Sequence, residues 1–182
     1  MPTAYSDDNQ KFSDKAHVAA QTQIYPMLFN VEPEQLRFTT TSLSLGARER
    51  ILDGEMAIDR IVSVKVTWFK AEIEFTIQER FRRKQFVKYQ DITITEWNDA
   101  TNLKSELFKL NAGIFVYGYF DIENKNMIDW IAIDTPALLR QLVIKEPDIN
   151  RGNNPRSKQS FLVFDFNYLS DIGAVIYRKP DF

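Results

Sequence analysis

Four polar residues on two β-prone segments have the types and spacing that metal-dependent phosphodiester cleavage requires. Asp59 stands near the start of IDRIVSVKV, and Gln78, Glu79 and Arg80 lie within AEIEFTIQERFR. This chemistry uses oxygen ligands to hold Mg²⁺, which activates water and screens the phosphate, and a nearby cation for the developing charge. Residues two apart on a strand share a face, so Gln78 and Arg80 point the same way. If the two strands are antiparallel neighbours, we expect Asp59 to meet them at one end.

The two segments resemble the PD-(D/E)XK nuclease superfamily, which has the restriction-endonuclease-like fold. In that superfamily an Asp begins the second strand of a four-stranded mixed sheet, and an acid-x-Lys sequence lies on the third. AIDRIVSV places Asp59 at the first position, and FTIQERFR places Gln78, Glu79 and Arg80 at the second. GIFVYGYF would be the fourth strand, after a helix around Ser105 and Glu106.

The resemblance implies an α/β fold with a mixed central β-sheet flanked by helices. It implies a nuclease that cleaves DNA with Mg²⁺, or Mn²⁺ in its place. Asp59, Glu79 and Gln78 would hold the metal, and Arg80 would stabilise the phosphate. Small nucleases of this kind often work as homodimers, so a dimer is also expected.

The triplet departs from the superfamily pattern at both of its outer positions. Gln78 can ligate a hard cation through its carbonyl oxygen, but it brings no charge. Arg80 can contact phosphate, yet its high pKa makes it unsuited to accepting a proton. Regular alternation predicts that Glu79 faces away from Gln78 and Arg80 unless the strand bulges. The alternative interpretation is that Asp59 is a strand-end acid paired to Arg60 or to a turn, and that Glu79 and Arg80 form a solvated charge pair.

A basic run interleaved with aromatic residues follows the triplet directly. Its candidate nucleic-acid-binding cations are Arg82, Arg83, Lys84 and Lys88, and the aromatic residues between and after them are Phe86 and Tyr89. Cations suit a phosphate backbone, and aromatic rings suit unstacked bases. The alternative is a strand end whose charges serve solubility.

The chain contains one histidine, His17, and no cysteine. This composition excludes disulfides and thiolate metal sites, and it excludes zinc sites that use several histidines. His17 and Gln21 lie one turn apart on a predicted helix, where the superfamily places polar groups near the metal. A packing role for His17 is the alternative. No glycine-rich phosphate loop occurs, which argues against a nucleotide-hydrolysing motor.

Composition and periodicity predict one α/β domain over residues 1–182, with 1–12 as a flexible arm. Hydrophobic residues make up 44% of the chain and aromatic residues 13%, enough for a packed core. The predicted helices begin at Ser13, Ala47, Asn102 and Thr135-Pro136, and Pro26 should kink or end the first. The predicted strands cover the hairpin within 55–84 and the segments 91–97, 113–120, 127–134 and 160–166. Residues 146–159 are predicted to be loop, and 174–178 to be a tail.

No basic start followed by an apolar block opens the chain, and no apolar run approaches the about 20 residues that span a membrane. We therefore expect a cytoplasmic protein. Three functions fit the sequence: a Mg²⁺-dependent nuclease, a nuclease-like fold that binds nucleic acid or assembles without chemistry, and a protein–protein interaction module.

Overall fold

The computed structural model describes residues 7–41, 47–68, 70–98, 103–144, 149–154 and 158–179. The helices are α1 (Asp7–Gln23), α2 (Tyr25–Phe29), α3 (Ala47–Gly54), α4 (Thr135–Ile144) and α5 (Phe166–Asp171). The strands are β1 (Leu36–Thr40), β2 (Arg60–Val66), β3 (Ala71–Arg83), β4 (Asp91–Asn98), β5 (Leu103–Lys104), β6 (Ile114–Asp121), β7 (Asn126–Asp134), β8 (Asn150–Asn154), β9 (Gln159–Asp165) and β10 (Val175–Arg178). Short 3₁₀ turns cover Pro33–Gln35, Lys84–Tyr89 and Glu106–Phe108.

A six-stranded mixed sheet in the order β1-β2-β3-β6-β7-β10 forms the centre of the fold. Strands β3 and β6 run parallel, and every other neighbouring pair in this sheet is antiparallel. All eight residues of β6 are buried, as expected for a continuous apolar strand that is covered on both faces. The predicted α/β class with a mixed sheet is therefore confirmed, and the restriction-endonuclease-like assignment stays a prediction.

The two faces of the main sheet have different covers. On one face α1 packs Ala16, Ala19 and Ala20 against a cluster that includes Val62 and Ile77. The small alanine side chains let this helix approach the sheet closely. The predicted flanking by helices is incomplete, because the other face is covered by a second sheet, antiparallel throughout, in the order β5-β4-β9-β8. Its inward residues pack against Phe115, Tyr117 and Tyr119 of β6, together with residues of α4 and α5.

Strand β3 keeps a regular register against both of its neighbours. Ile77 pairs with Arg60 of β2 and with Ile114 of β6, and the pairing with β6 continues without a bulge to Arg83. The alternation of side chains is therefore unbroken through the triplet. Glu79 faces α1, whereas Gln78 and Arg80 face the second sheet.

Several predicted elements differ from the observed ones because strand pairing determines the structure where the local hydrophobic pattern indicates otherwise. The predicted helix over 102–110 is wrong: Leu103–Lys104 pairs with β4, and a 3₁₀ turn follows. Residues 7–12 belong to α1 rather than to an arm, since Phe12 is buried against Phe120; residues 1–6 lie outside the described residues. The predicted loop contains β8, and the predicted tail is the edge strand β10.

The helix boundaries follow the expected signals with small shifts. Helix α1 ends at Gln23, and Pro26 lies in the first turn of α2, as predicted. Helix α4 begins at the predicted Thr135-Pro136, but the capping bond comes from Asp134, whose Oδ1 accepts from the Ala137 backbone N–H at 3.0 Å. Among the described residues, no helix has the length and apolarity to cross a membrane.

Candidate functional site

The turn before β2 brings Asp59 against the middle of β3. The Asp59 backbone N–H donates to the Ile77 carbonyl at 2.9 Å, and its own carbonyl accepts from Thr41 at 3.0 Å. Ala57, two residues earlier, has φ +46°, a left-handed conformation that is uncommon outside glycine. As a result, Asp59 Oδ2 accepts a hydrogen bond from the Glu79 backbone N–H at 2.8 Å. The expected convergence of Asp59 with the triplet is present.

The carboxylate of Glu79 is buried on the α1 face and surrounded by donors. Tyr25 Oη donates to Oε1, while His17 Nδ1 lies 2.5 Å from Oε2 and Arg60 Nε donates to Oε2 at 3.1 Å. The Glu79 side chain is 0% exposed, and the Arg60 side chain is 4% exposed. Burial raises the pKa of Glu79, but the hydrogen bond from His17 and the charge of Arg60 outweigh it, so the pKa lies below its ordinary value. Glu79 is therefore an ionised carboxylate with a full set of partners.

This arrangement settles two of the alternative interpretations. A solvated pair between Glu79 and Arg80 is wrong, because Glu79 is buried and the two side chains lie on opposite faces. A pair between Asp59 and Arg60 is also wrong, because the guanidinium of Arg60 bonds to Glu79 and lies near Thr40.

The burial of Tyr25 and the neighbouring charge of Glu79 raise the pKa of that tyrosine, so it stays a donor.

On the opposite face, Glu106 connects the other two residues of the triplet. Arg80 Nη2 lies 2.5 Å from Glu106 Oε2, and Arg80 Nη1 donates to the Thr93 carbonyl at 2.9 Å. Gln78 Nε2 donates to Glu106 Oε1 at 3.3 Å. Gln78 Oε1 is buried and has no hydrogen-bond partner among the described residues. Sequence reasoning gave Glu106 no site role because the segment around it was assigned to a helix.

Two cavities meet at Asp59, one on each side of the main sheet. The first has a volume of about 540 Å³ and is lined on the α1 side by both predicted helix residues, His17 and Gln21, together with Glu79. The second, of about 480 Å³, is lined by Asp53, Gly54, Ala57, Asp59, Gln78, Arg80, Asn98, Ser105, Glu106 and Lys109. Asp53 and Asp59 line both cavities. The Asp59 side chain is therefore next to both cavities.

Asp59 is a partly buried carboxyl group without a salt-bridge partner in the described part of the chain. Burial raises its pKa to about 7, and the negative charge of Glu79 adds to the rise. The hydrogen bond from the Glu79 backbone N–H and the proximity of His17 act in the opposite direction without cancelling it. The ionised form of Asp59 is thus disfavoured near neutral pH, and a nearby cation would favour it.

Of the three predicted metal ligands, only Asp59 and Gln78 line the second cavity, and they offer one carboxylate and one amide oxygen. In the described ranges no group of three or more His, Cys, Asp or Glu residues is arranged to hold a metal ion. Both carboxylate oxygens of Glu79 already contact donors on the α1 face. Asp59 and Gln78 are the two predicted ligands with oxygen atoms still available.

The predicted nucleic-acid-binding cations lie on the surface after the triplet, with different partners. Arg82 bonds to Asp91 at 2.9 Å and lies over Phe86, and Lys84 lies within 3.2 Å of both Asp121 and Glu123. Arg83 lies over the ring of Phe12, and the exposed Lys88 lies over Tyr89. Carboxylates therefore offset the charge of Arg82 and Lys84. The binding role of all four cations stays a prediction.

Comparison of the chain with protein-family models, curated proteins and solved structures finds no match in any of the three. The interpretation of the site therefore depends on its geometry and on the motif residues.

The partners of Glu79 lead to a stability prediction. Glu79→Gln removes the charge opposite Arg60 and leaves a buried guanidinium without its anion, so we expect the free energy of unfolding to fall by about 3–5 kcal/mol. The matched control is Glu72→Gln, because Glu72 pairs with Arg37 at 3.4 Å on the exposed surface, where a loss below about 1 kcal/mol is expected. Urea unfolding measures both, and equal losses would contradict the assignment.

The raised pKa of Asp59 leads to a pH prediction for the metal-free protein. In the unfolded chain Asp59 titrates near its ordinary pKa, so between that value and about 7 the folded state binds the extra proton. This contribution to stability is fully present below the unfolded pKa and is lost as pH rises through about 7. In EDTA, the Tm of the wild type should fall relative to Asp59→Asn by roughly 5 °C between about pH 5 and pH 8. Parallel Tm profiles of the two proteins would contradict the prediction.

Proposed function

We propose that this chain is a Mg²⁺-dependent nuclease that hydrolyses phosphodiester bonds in DNA. The observation that carries the proposal is an amide oxygen without a hydrogen-bond partner and a carboxyl group without a cation, both beside one cavity. Gln78 Oε1 is buried without a partner among the described residues, and Asp59 is a partly buried carboxyl whose ionised form is disfavoured. Both residues line the cavity that also contains Arg80.

These groups fit a divalent cation. A buried acceptor without a partner costs about 1–3 kcal/mol, and a buried carboxylate without a cation keeps its proton. Mg²⁺ takes oxygen ligands from carboxylates and amide carbonyls, so Asp59 and Gln78 would hold it. When bound, the metal supplies a nucleophilic water and offsets the charge of the phosphate.

The remaining residues of the site position these two ligands. The Glu79 backbone N–H fixes one oxygen of Asp59, and the buried contacts of Glu79 fix that part of β3 between α1 and β2. Glu106 accepts from the Gln78 amide nitrogen, which leaves the amide oxygen directed away from this bond. Arg80 pairs with the same carboxylate and so holds Glu106 beside Gln78.

The position of the motif in the sheet also supports the proposal. Asp59 immediately precedes β2, the triplet lies in β3, and the fully buried β6 is the next strand of the mixed sheet. This is the order in which the resemblance places the first Asp, the acid-x-Lys sequence and the fourth strand. The DNA substrate is inferred from that resemblance. Cytoplasmic location and a homodimer stay predictions.

A second function is a nucleic-acid-binding module without chemistry. It is favoured by the neutral amide at Gln78 and by the ion pair that Arg80 makes with Glu106. In that case the same fold would bind DNA in a salt-sensitive manner without cleaving it.

A cleavage assay separates the two functions. With linear and supercoiled DNA in Mg²⁺ or Mn²⁺, we expect Asp59→Ala and Gln78→Met each to lower the cleavage rate by about 10²-fold or more, because each removes a metal-binding oxygen. Asp171→Ala, a change at an exposed acid at the end of α5, is the matched control and should cleave like the wild type.

Equal cleavage by wild type and Asp59→Ala would exclude the proposed site. No cleavage by any of the proteins, with no heat of divalent-metal binding in calorimetry but with salt-sensitive DNA binding, would favour the binding module instead.

A further inference from the structure

Two cations lie among the residues that line the second cavity, and they differ in how they are held. Arg80 comes from β3 and Lys109 from the residue after the 3₁₀ turn Glu106–Phe108. The acids of the same cavity are Asp53, Asp59 and Glu106. A phosphodiester that enters this cavity carries a negative charge, so the cation that it can reach matters for binding and for the reaction.

The guanidinium of Arg80 is already committed to protein partners. Nη2 lies 2.5 Å from Glu106 Oε2, and Nη1 donates to the Thr93 carbonyl at 2.9 Å. Thr95 Oγ1 lies 3.5 Å from Nη2. The Arg80–Glu106 pair is neutral as a unit, and its donors are directed toward β4 and the turn. A phosphate would have to break this pair in order to bind Arg80.

The ammonium of Lys109 has far fewer partners. In the described part of the chain it donates one hydrogen bond, to the Gly54 carbonyl at 3.0 Å, at the end of α3. An ammonium has three donors, so two stay available to a ligand. Lys109 is exposed, and its long stem lets the charge move a few ångströms toward an anion.

The backbone of Lys109 is nevertheless fixed beside the site. Its N–H donates to the Glu106 carbonyl at 3.0 Å, and its carbonyl accepts from the Asn111 side chain at 2.9 Å. Asn111 in turn donates its backbone N–H to the Met56 carbonyl at 3.0 Å, three residues before Asp59. The turn is thus tied both to the segment that leads into Asp59 and to the carboxylate that holds Arg80.

We propose that Lys109 is the cation that contacts the scissile phosphate in this cavity, while Arg80 serves to fix Glu106 and Gln78. The inference rests on the proposed nuclease function and names the residue that meets the substrate. Lys109 makes no ion pair among the described residues, and it lines the same cavity as Asp59 and Gln78, where the phosphate would lie. A structural role alone, in which Lys109 only caps the end of α3, makes different predictions.

Salt-dependent DNA binding tests the contact without requiring cleavage. In an Asp59→Ala background in EDTA, we expect Lys109→Met to weaken duplex binding and to reduce the slope of log K against log salt by about 0.9, the effect of one lost phosphate contact. Lys109→Arg should keep the slope because it keeps the charge. Lys65→Met is the control, since Lys65 is an exposed lysine near the far end of β2 from Asp59.

Cleavage in Mg²⁺ gives the second readout. We expect Lys109→Met to lower kcat by about 10²-fold with an unchanged urea unfolding midpoint, and Lys109→Arg to stay within about 10-fold of the wild type. A pure capping role predicts the reverse, a lower unfolding midpoint with normal kcat and salt slope.

Together, the DNA-binding and cleavage experiments distinguish failure of this inference from failure of the nuclease proposal. If the wild type cleaves DNA and Lys109→Met cleaves equally well, the inference is wrong and the nuclease function stands. If the wild type does not cleave, the nuclease proposal fails, and the salt slope alone decides. A reduced slope then supports Lys109 as a phosphate contact, and an unchanged slope overturns it.

Discussion

The buried carboxylate of Glu79 is the constraint on which the rest of the site depends. An ionised group inside a protein is stable only when charges and donors surround it. Here they come from three different elements: His17 on α1, Tyr25 on α2 and Arg60 on β2. Satisfying one carboxylate therefore fixes two helices against the hairpin. The backbone N–H of Glu79 also donates to Asp59. The buried contacts of Glu79 therefore position the candidate metal ligand as well.

The period of two along a strand divides the triplet into a structural part and a part that lines the candidate site. Glu79 faces α1 and is saturated, whereas Gln78 and Arg80 face the second sheet and line a cavity. Because β3 pairs without a bulge from Ile77 onward, no change of register can bring all three side chains together. Asp59 precedes β2 and, like Asp53, lines both cavities, so it lies between the two parts.

The sequence alone predicted the elements whose hydrophobic pattern determines their structure. The alternation of AEIEFTIQERFR and the apolar run of GIFVYGYF depend on burial alone, and they predicted β3, β6 and the opposite orientation of Glu79. Partners that are distant in the chain were not predictable in this way. Tyr25 meets Glu79 across 54 positions, and only the docking of α2 brings them together. Glu106 and Lys109 were missed because the spacing of Leu103, Leu107 and Leu110 is helical, while pairing with β4 takes the segment out of a helix.

The amide at position 78 is consistent with its neighbours once Glu106 is considered. A carboxylate there would stand beside Glu106 and near Asp59, whose ionisation is already disfavoured by burial and by Glu79. An amide avoids a further negative charge, because its nitrogen donates to Glu106 and its oxygen stays available. Glu106 thus contacts both residues at which the triplet departs from the acid-x-Lys pattern: it accepts from Gln78 and it pairs with Arg80. Because Arg80 is paired in this way, the cation that we propose for the phosphate comes from another position, Lys109, directly after the turn that contains Glu106.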